Sequence, residues 1–110
     1  MSADDTERME RLFDALGVAS RRAIVELLAA TPCSVSDLAQ ALGMTKTAVG
    51  QHLLVLEGCC LVATEKKGRV RMCRIDPAGF ADLQDWAARR RGHWQSSLDR
   101  LDAHLGTPKG

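Results

Sequence analysis

The segment from Ser34 to Ile75 constrains the fold more than any other part of the chain. Ser34 reads as a helix N-cap, with Asp37 three residues on at the spacing of a capping box. Val35, Leu38, Ala39 and Leu42 supply the apolar face of that helix, and Gly43 closes it. Thr45 caps the next helix, whose inward face is Val49, Leu53 and Leu56 and whose end is Gly58. Only Gly43-Met44 separates the two, so they must cross sharply, which is the sequence form of a helix-turn-helix. Leu61–Thr64 and Val70–Ile75 then read as short strands joined at Lys67-Gly68. Two capped helices followed by a β-hairpin is the order of a winged helix, so the expected fold is mainly α with a small two-stranded antiparallel wing.

The flanks read as helices. Met9, Leu12, Phe13 and Leu16 recur at helical spacing in a first helix from about Thr6 to Leu16, ended by Gly17. A second helix follows Ser20 as N-cap, carries Ala23, Ile24, Leu27 and Leu28 on one side, and stops at Pro32. Asp76-Pro77 starts a long last helix to about Leu105, with Gly92 a weak point near its middle. At 110 residues the chain has room for a single domain, residues 1–110, with one modest core.

Composition excludes several classes. No apolar run reaches the length of about 18 residues that a membrane span needs. Met1 to Asp5 is acidic and lacks the apolar stretch of a secretory signal, so the cytoplasm is expected. There the four cysteines are expected as thiols rather than a disulfide framework. The sequence has no Gly-rich phosphate loop, no His-Glu-x-x-His and no convincing acid–base pair, so it does not read as an enzyme.

A net charge of +1 conceals a local concentration. Residues 44–74 hold Lys46, Lys66, Lys67, Arg69, Arg71 and Arg74 against only Glu57 and Glu65. With Val49, Leu53 and Leu56 turned inward, the outward face of the second motif helix is Lys46, Thr47, Gly50, Gln51 and Leu54. Lys46, Thr47 and Gln51 have side chains that reach base edges or phosphates. Gly50 costs a helix roughly 1 kcal/mol against alanine, which helps only where a backbone or phosphate comes close. Lys66, Lys67, Arg69 and Arg71 cluster toward the hairpin tip, where they would straddle a phosphate backbone or enter a minor groove. The expected partner is double-stranded operator DNA. A winged helix that binds protein instead would show an apolar outer face on this helix, where only Leu54 is apolar.

Along the last helix Phe80, Leu83, Ala87, Trp94, Leu98, Leu101 and Leu105 recur at spacings of three and four. A core this small cannot cover so long a stripe, so it marks a partner surface, satisfied by a two-fold copy of the chain.

These segments resemble the ArsR/SmtB family of bacterial repressors. Ala15-Leu16 with Ser20-Arg21-Arg22-Ala23-Ile24 is similar to the family's opening helix pair. Ser34-Val35-Ser36-Asp37-Leu38-Ala39 is similar to its first motif helix, and Ala48-Val49-Gly50-Gln51-His52-Leu53 with Leu56 to its recognition helix. Leu61-Val62 and Gly68-Arg69-Val70-Arg71 resemble its wing. The last helix, with Trp86, Trp94 and Leu98-Asp99-Arg100-Leu101, resembles a branch without an obvious metal site. The likeness spans about residues 12–105 and rests on order and spacing. It implies a homodimer joined by the first and last helices, Phe13 included, repression relieved by a signal, and a phosphate contact from His52, whose alternative is to pack beneath its helix. Gly50 stands where many members have serine, Leu54 where many have lysine, and Cys60 where glycine is usual.

The resemblance also frames the metal question. His93 and His104 have the spacing of the family's zinc histidines, but Arg91 and Thr107 replace its other ligands, so two surface histidines are the better reading. The arsenic-type Cys-Val-Cys is absent, and Cys33 stands alone before its helix. Cys59 falls where the cadmium/lead sensors place one thiolate, but Val55 takes the position of the second and the tail cysteine is missing. No cofactor is identified from the sequence. The one candidate is a soft metal or metalloid ion, or an oxidant, at Cys59, Cys60 and Cys73. A Lys67-Gly68 turn would set Val62 opposite Cys73 and bring these sulfurs together near the base of the wing. Three small buried hydrophobes are the alternative.

Overall fold

The computed structural model describes residues 3–105, the side chains of 104 and 105 excepted. The elements run α1 (Ala3–Leu16), α2 (Ala19–Ala30), β1 (Cys33–Ser34), α3 (Val35–Leu42), α4 (Lys46–Gly58), β2 (Val62–Lys67), β3 (Val70–Ile75) and α5 (Pro77–Leu105). The motif helices start where their caps dictate. Ser34 Oγ accepts the Asp37 N–H at 3.0 Å while Asp37 Oδ2 accepts the Ser34 N–H at 3.2 Å. Thr45 Oγ1 accepts the Ala48 N–H at 3.0 Å. These bonds satisfy amide donors that a helix start leaves open, and so fix the short connection that crosses α3 over α4.

α2 begins at Ala19, one residue earlier than a Ser20 cap would have it. Val18 holds the cap position in extended backbone, with no side-chain cap bond, and its carbonyl accepts the Arg21 and Arg22 N–H groups at 3.1 Å. α1 extends back to Ala3, and α5 runs through Gly92 as one helix.

The sheet has three strands, in the order β1-β3-β2, all antiparallel. The extra strand is the two-residue β1, pairing Cys33 with Cys73 and Ser34 with Met72. The wing register also departs from expectation. Lys67 pairs with Val70, so the turn residues are Gly68 and Arg69. Gly68 has φ +64° whereas Arg69 is not in the positive region, the pattern of a two-residue turn with glycine first. Moving the turn by one residue moves the register by two, so Thr64 lies opposite Cys73 and Val62 opposite Ile75.

The core lies between the helices and the inner face of the sheet. Leu12, Ile24, Leu38, Val49, Leu56, Leu61, Val62 and Cys73 are fully buried there, and the three inward residues expected of α4 are all buried. Phe80, Leu83 and Trp86 of the first half of α5 pack against this core. Beyond Trp86 the helix leaves the body: between 87 and 103 only Arg90 and Ser97 are even half-buried. The radius of gyration is 18.9 Å, where about 13 Å is usual for a compact chain of about 100 residues. At about 1.5 Å per residue α5 is about 43 Å long, which accounts for much of the 65 Å long axis.

The joint between α4 and the wing is tight. Cys60 adopts φ +59°, a left-handed backbone that favours glycine, and its carbonyl accepts the Gly79 N–H at 2.7 Å. That bond locks the first turn of α5 to the end of α4.

Candidate nucleic-acid interface

From Ala48 onward the amides of α4 are spent on the helix and its Thr45 cap, so the outer face beyond the first turn interacts through side chains. Lys46, Thr47, Gln51 and Leu54 are exposed on that face and Gly50 is half-buried. Two open grooves flank it. One, of about 460 Å³, lies between the start of α3, α4 and the wing, lined by Ser36, Lys46, Gly50, Arg69 and Arg71 among others. The other, of about 360 Å³, lies along the far side of α4 and includes Thr47, Gly50, Gln51, Leu54 and Arg71. Gly50 and Arg71 line both. A Cβ added at Gly50 would meet nothing within 4 Å, so the fold itself does not demand glycine there.

The wing orients one arginine and leaves other bases free. Arg71 Nη1 donates to Thr64 Oγ1 at 2.7 Å, and the Thr64 hydroxyl donates to Glu57 Oε1. This chain of bonds holds the Arg71 guanidinium toward α4. Among the described residues, Lys46, Lys66, Lys67 and Arg69 have no acidic partner. Their charge is therefore available to an external anion. Ser36 and Thr64 were not singled out from sequence, because a hydroxyl beside a groove leaves no signature until the wing folds back over α3.

His52 is half-buried. Its Nδ1 accepts the Arg21 Nε–H at 3.3 Å, and Arg21 Nη1 reaches the Asp14 carbonyl at 3.4 Å. With Nδ1 as acceptor, the neutral ring carries its proton on Nε2 and presents a donor there. Arg21 thereby sets the tautomer of a residue on α4, a role no sequence signal announced.

The cysteines do not assemble. In the observed register Cys60 lies beyond the paired strands, exposed, while Cys59 and Cys73 are buried. The expected convergence of Cys59, Cys60 and Cys73 is thus corrected by the turn position. Burial pushes the Cys59 thiol above its ordinary pKa, and its Sγ donates to the Val55 and Leu56 carbonyls at 3.4 and 3.6 Å. Burial, with the charge of Glu57 next, pushes Cys73 up to about 11. Soft metals bind thiolates, and both sites disfavour the thiolate. No group of three or more His, Cys, Asp and Glu residues fit to hold a metal ion occurs among the described residues. His93 is exposed, and the side chain of His104 lies outside the described residues, as does Thr107.

The candidate dimer residues divide into two sets. Phe80 and Leu83 are half-buried against their own core. Phe13 (42% exposed), Trp94 (60%), Leu98 (57%) and Leu101 (51%) are open, and the Leu105 side chain lies outside the described residues. Phe13 meets Trp86 edge-on at 4.9 Å, and Arg90 covers the other part of Trp86 at 4.9 Å, so α1 and α5 are joined before any partner arrives. Arg8 adds an ion pair to Asp82 at 3.3 Å.

Comparison with known proteins decides the family. Residues 19–64 match the model of the bacterial regulatory proteins of the arsR family. Over 75 residues the chain is 43% identical to the HTH-type transcriptional regulator Rv2034 of Mycobacterium tuberculosis, covering 68% of this chain and 70% of that one. The chain belongs to the ArsR family. It is a DNA-binding transcriptional regulator with a winged helix-turn-helix, and not an enzyme. Two solved structures share its shape. The "Possible transcriptional regulator for arsenical resistance" superposes with a TM-score of 0.65 at 36% identity, over 84% of this chain and 93% of that one. The homodimeric winged helix-turn-helix DNA-binding domain Mb0332 of Mycobacterium bovis gives 0.65 at 25% identity, over 94% of both chains. Among the described residues no helix of this ArsR protein is long and apolar enough to cross a membrane.

Proposed function

We propose that this ArsR protein is a homodimeric repressor that reads a pseudo-palindromic operator with α4 in the major groove and the wing astride the flanking phosphates. The observation that carries the reading is the shared groove, in which Lys46 and Gly50 of α4 face Arg69 and Arg71 of the wing. Gln51 supplies a bidentate amide for a base edge, and Lys46 and Thr47 anchor the start of the helix on phosphate. Gly50 lets the sugar–phosphate backbone come close. Arg71, oriented through Thr64, and the free Lys66, Lys67 and Arg69 hold the adjacent backbone. The Nε2–H of His52 donates to a further phosphate. Occupation of the operator excludes polymerase from the promoter, and a signal that lowers affinity restores access.

The dimer follows from the open apolar positions on α1 and α5, and a homodimeric relative of the same fold supports it. Burying a large apolar side chain stabilises by about 1.5–3 kcal/mol, so Phe13, Trp94, Leu98 and Leu101 from two copies are a sufficient core for an interface. A soft metal or metalloid at the cysteines has one support, the relative described for arsenical resistance. The residues here do not fit it, since Cys59 and Cys73 are held as buried thiols and Cys60 faces solvent.

The test is a mobility shift with DNA from the chain's own promoter across a range of salt. Gln51→Ala is expected to weaken operator binding by about 1–3 kcal/mol, and to do so only for DNA with the correct base at one position per half-site. Arg69→Ala should weaken binding to all sequences and flatten the salt dependence by about one phosphate contact per protomer. Wild-type behaviour from both variants would remove α4 and the wing from the DNA.

A further inference from the structure

β1 and β3 set two thiols side by side. Cys33 pairs directly with Cys73 across the ladder, and both are free thiols. Directly paired residues of an antiparallel ladder project to one face with Cα atoms about 4.5–5.5 Å apart, and a disulfide requires about 4.4–6.8 Å. The two environments differ. Cys33 is half-buried, and its Sγ donates to the Thr31 carbonyl at 3.4 Å, whereas Cys73 is fully buried. A cavity of about 150 Å³ opens beside β3, lined by Pro32, Met72 and Cys73 among others but not by Cys33. Cys33 is the more accessible of the two thiols, so an oxidant of peroxide size meets it first.

We propose that Cys33 and Cys73 form a modification site, in which hydrogen peroxide closes an intramolecular disulfide between β1 and β3. The Cys33 thiol gives up its proton, and its sulfur attacks one peroxide oxygen. The O–O bond breaks, hydroxide leaves and takes up that proton as water, and Cys33 becomes a sulfenic acid. The Cys73 sulfur, on losing its proton, attacks the Cys33 sulfur. The S–O bond breaks and the departing hydroxide becomes a second water. Two thiols are oxidised by two electrons and one peroxide is reduced. The buried Cys73 thiol makes the second step slow. It is also a poor leaving group when a reductant attacks Cys33, and its own sulfur is shielded, so the bond is slow to reduce as well. The loop it closes contains α3, α4 and β2, so the oxidised chain carries its DNA-reading unit inside one covalent ring. Closing a loop of that length restricts the unfolded chain strongly.

The experiment uses the full chain carrying Cys60→Gly, which removes the exposed thiol and suits the left-handed backbone at that position. After a molar excess of hydrogen peroxide, denaturation and alkylation, only Cys59 should take the label. A non-reducing digest should yield a peptide joining Cys33 to Cys73, and Tm should rise by about 10 °C, all reversed by dithiothreitol. Adding Cys33→Ser should abolish both the joined peptide and the rise in Tm. Three alkylated thiols after peroxide that fully oxidises Cys60 in the unaltered chain would overturn the proposal. So would Cys33 sulfinic acid beside a free Cys73, or a disulfide that includes Cys59. No DNA enters the measurement, so its failure leaves the operator reading standing, and failure of that reading leaves this result interpretable.

Discussion

A chain carrying Trp94→Asp and Leu101→Asp is expected to sediment as a monomer at micromolar concentration and to bind operator at least about 100-fold more weakly than the unaltered dimer. Both side chains stand half or more exposed on the part of α5 that leaves the body, so the protomer loses no core contact and should keep its helix content. In the proposed dimer the same positions are buried, and each unpaired carboxylate there would cost several kcal/mol, twice over by symmetry. The affinity falls because the second recognition helix no longer reaches its half-site from a DNA-bound partner. Analytical ultracentrifugation, circular dichroism and the mobility shift read the three parts separately. A variant that stays dimeric would move the interface away from α5.

The other large effect is on stability. Gly79→Val is expected to destabilise the protomer by about 3 kcal/mol or more and to lower Tm by more than about 10 °C. An added Cβ would stand 2.5 Å from the Cys60 carbonyl oxygen and 2.7 Å from that of Cys59. Those are backbone atoms, and Cys60 is already confined to the left-handed region, so neither can swing aside. The clash would break the Gly79 N–H bond to Cys60 and change the angle at which α5 leaves α4. Gly50→Ala is the contrast, since its Cβ meets nothing, and it should gain up to about 1 kcal/mol from helix propensity. Thermal melts at one fixed protein concentration compare them, because a dimer's Tm depends on concentration. A melting temperature for Gly79→Val equal to that of the unaltered chain would show that the joint tolerates a side chain.

What the sequence made legible follows the reach of its signals. The caps at Ser34 and Thr45 act over three residues, and they located α3 and α4 correctly. The helical spacing of Val49, Leu53 and Leu56 settled which face of α4 is free, and the basic cluster from Lys66 to Arg71 settled the wing. The start of α2 was misjudged because Val18 caps it through its backbone, leaving Ser20 inside the helix. β1 was missed because two residues between Pro32 and a helix cap carry no alternation. The wing register failed at Lys66-Lys67-Gly68-Arg69, where a two-residue turn can take its glycine first or second and local sequence does not choose. That single residue dispersed the expected Cys59, Cys60 and Cys73 cluster, while the unforeseen β1 set Cys33 opposite Cys73. Arg21 and Thr64, which orient His52 and Arg71, became visible only once distant segments were packed together.

The central claim, that α4 and the wing of a dimer read a specific DNA sequence, is tested most directly by selecting bound duplexes from a random-sequence pool at physiological salt. The account predicts enrichment of one pseudo-palindrome whose half-site centres lie about one helical turn apart, 10–10.5 bp, with Gln51→Ala relaxing one position in each half. A selected pool with no shared motif, bound no more tightly than the starting pool, would contradict it.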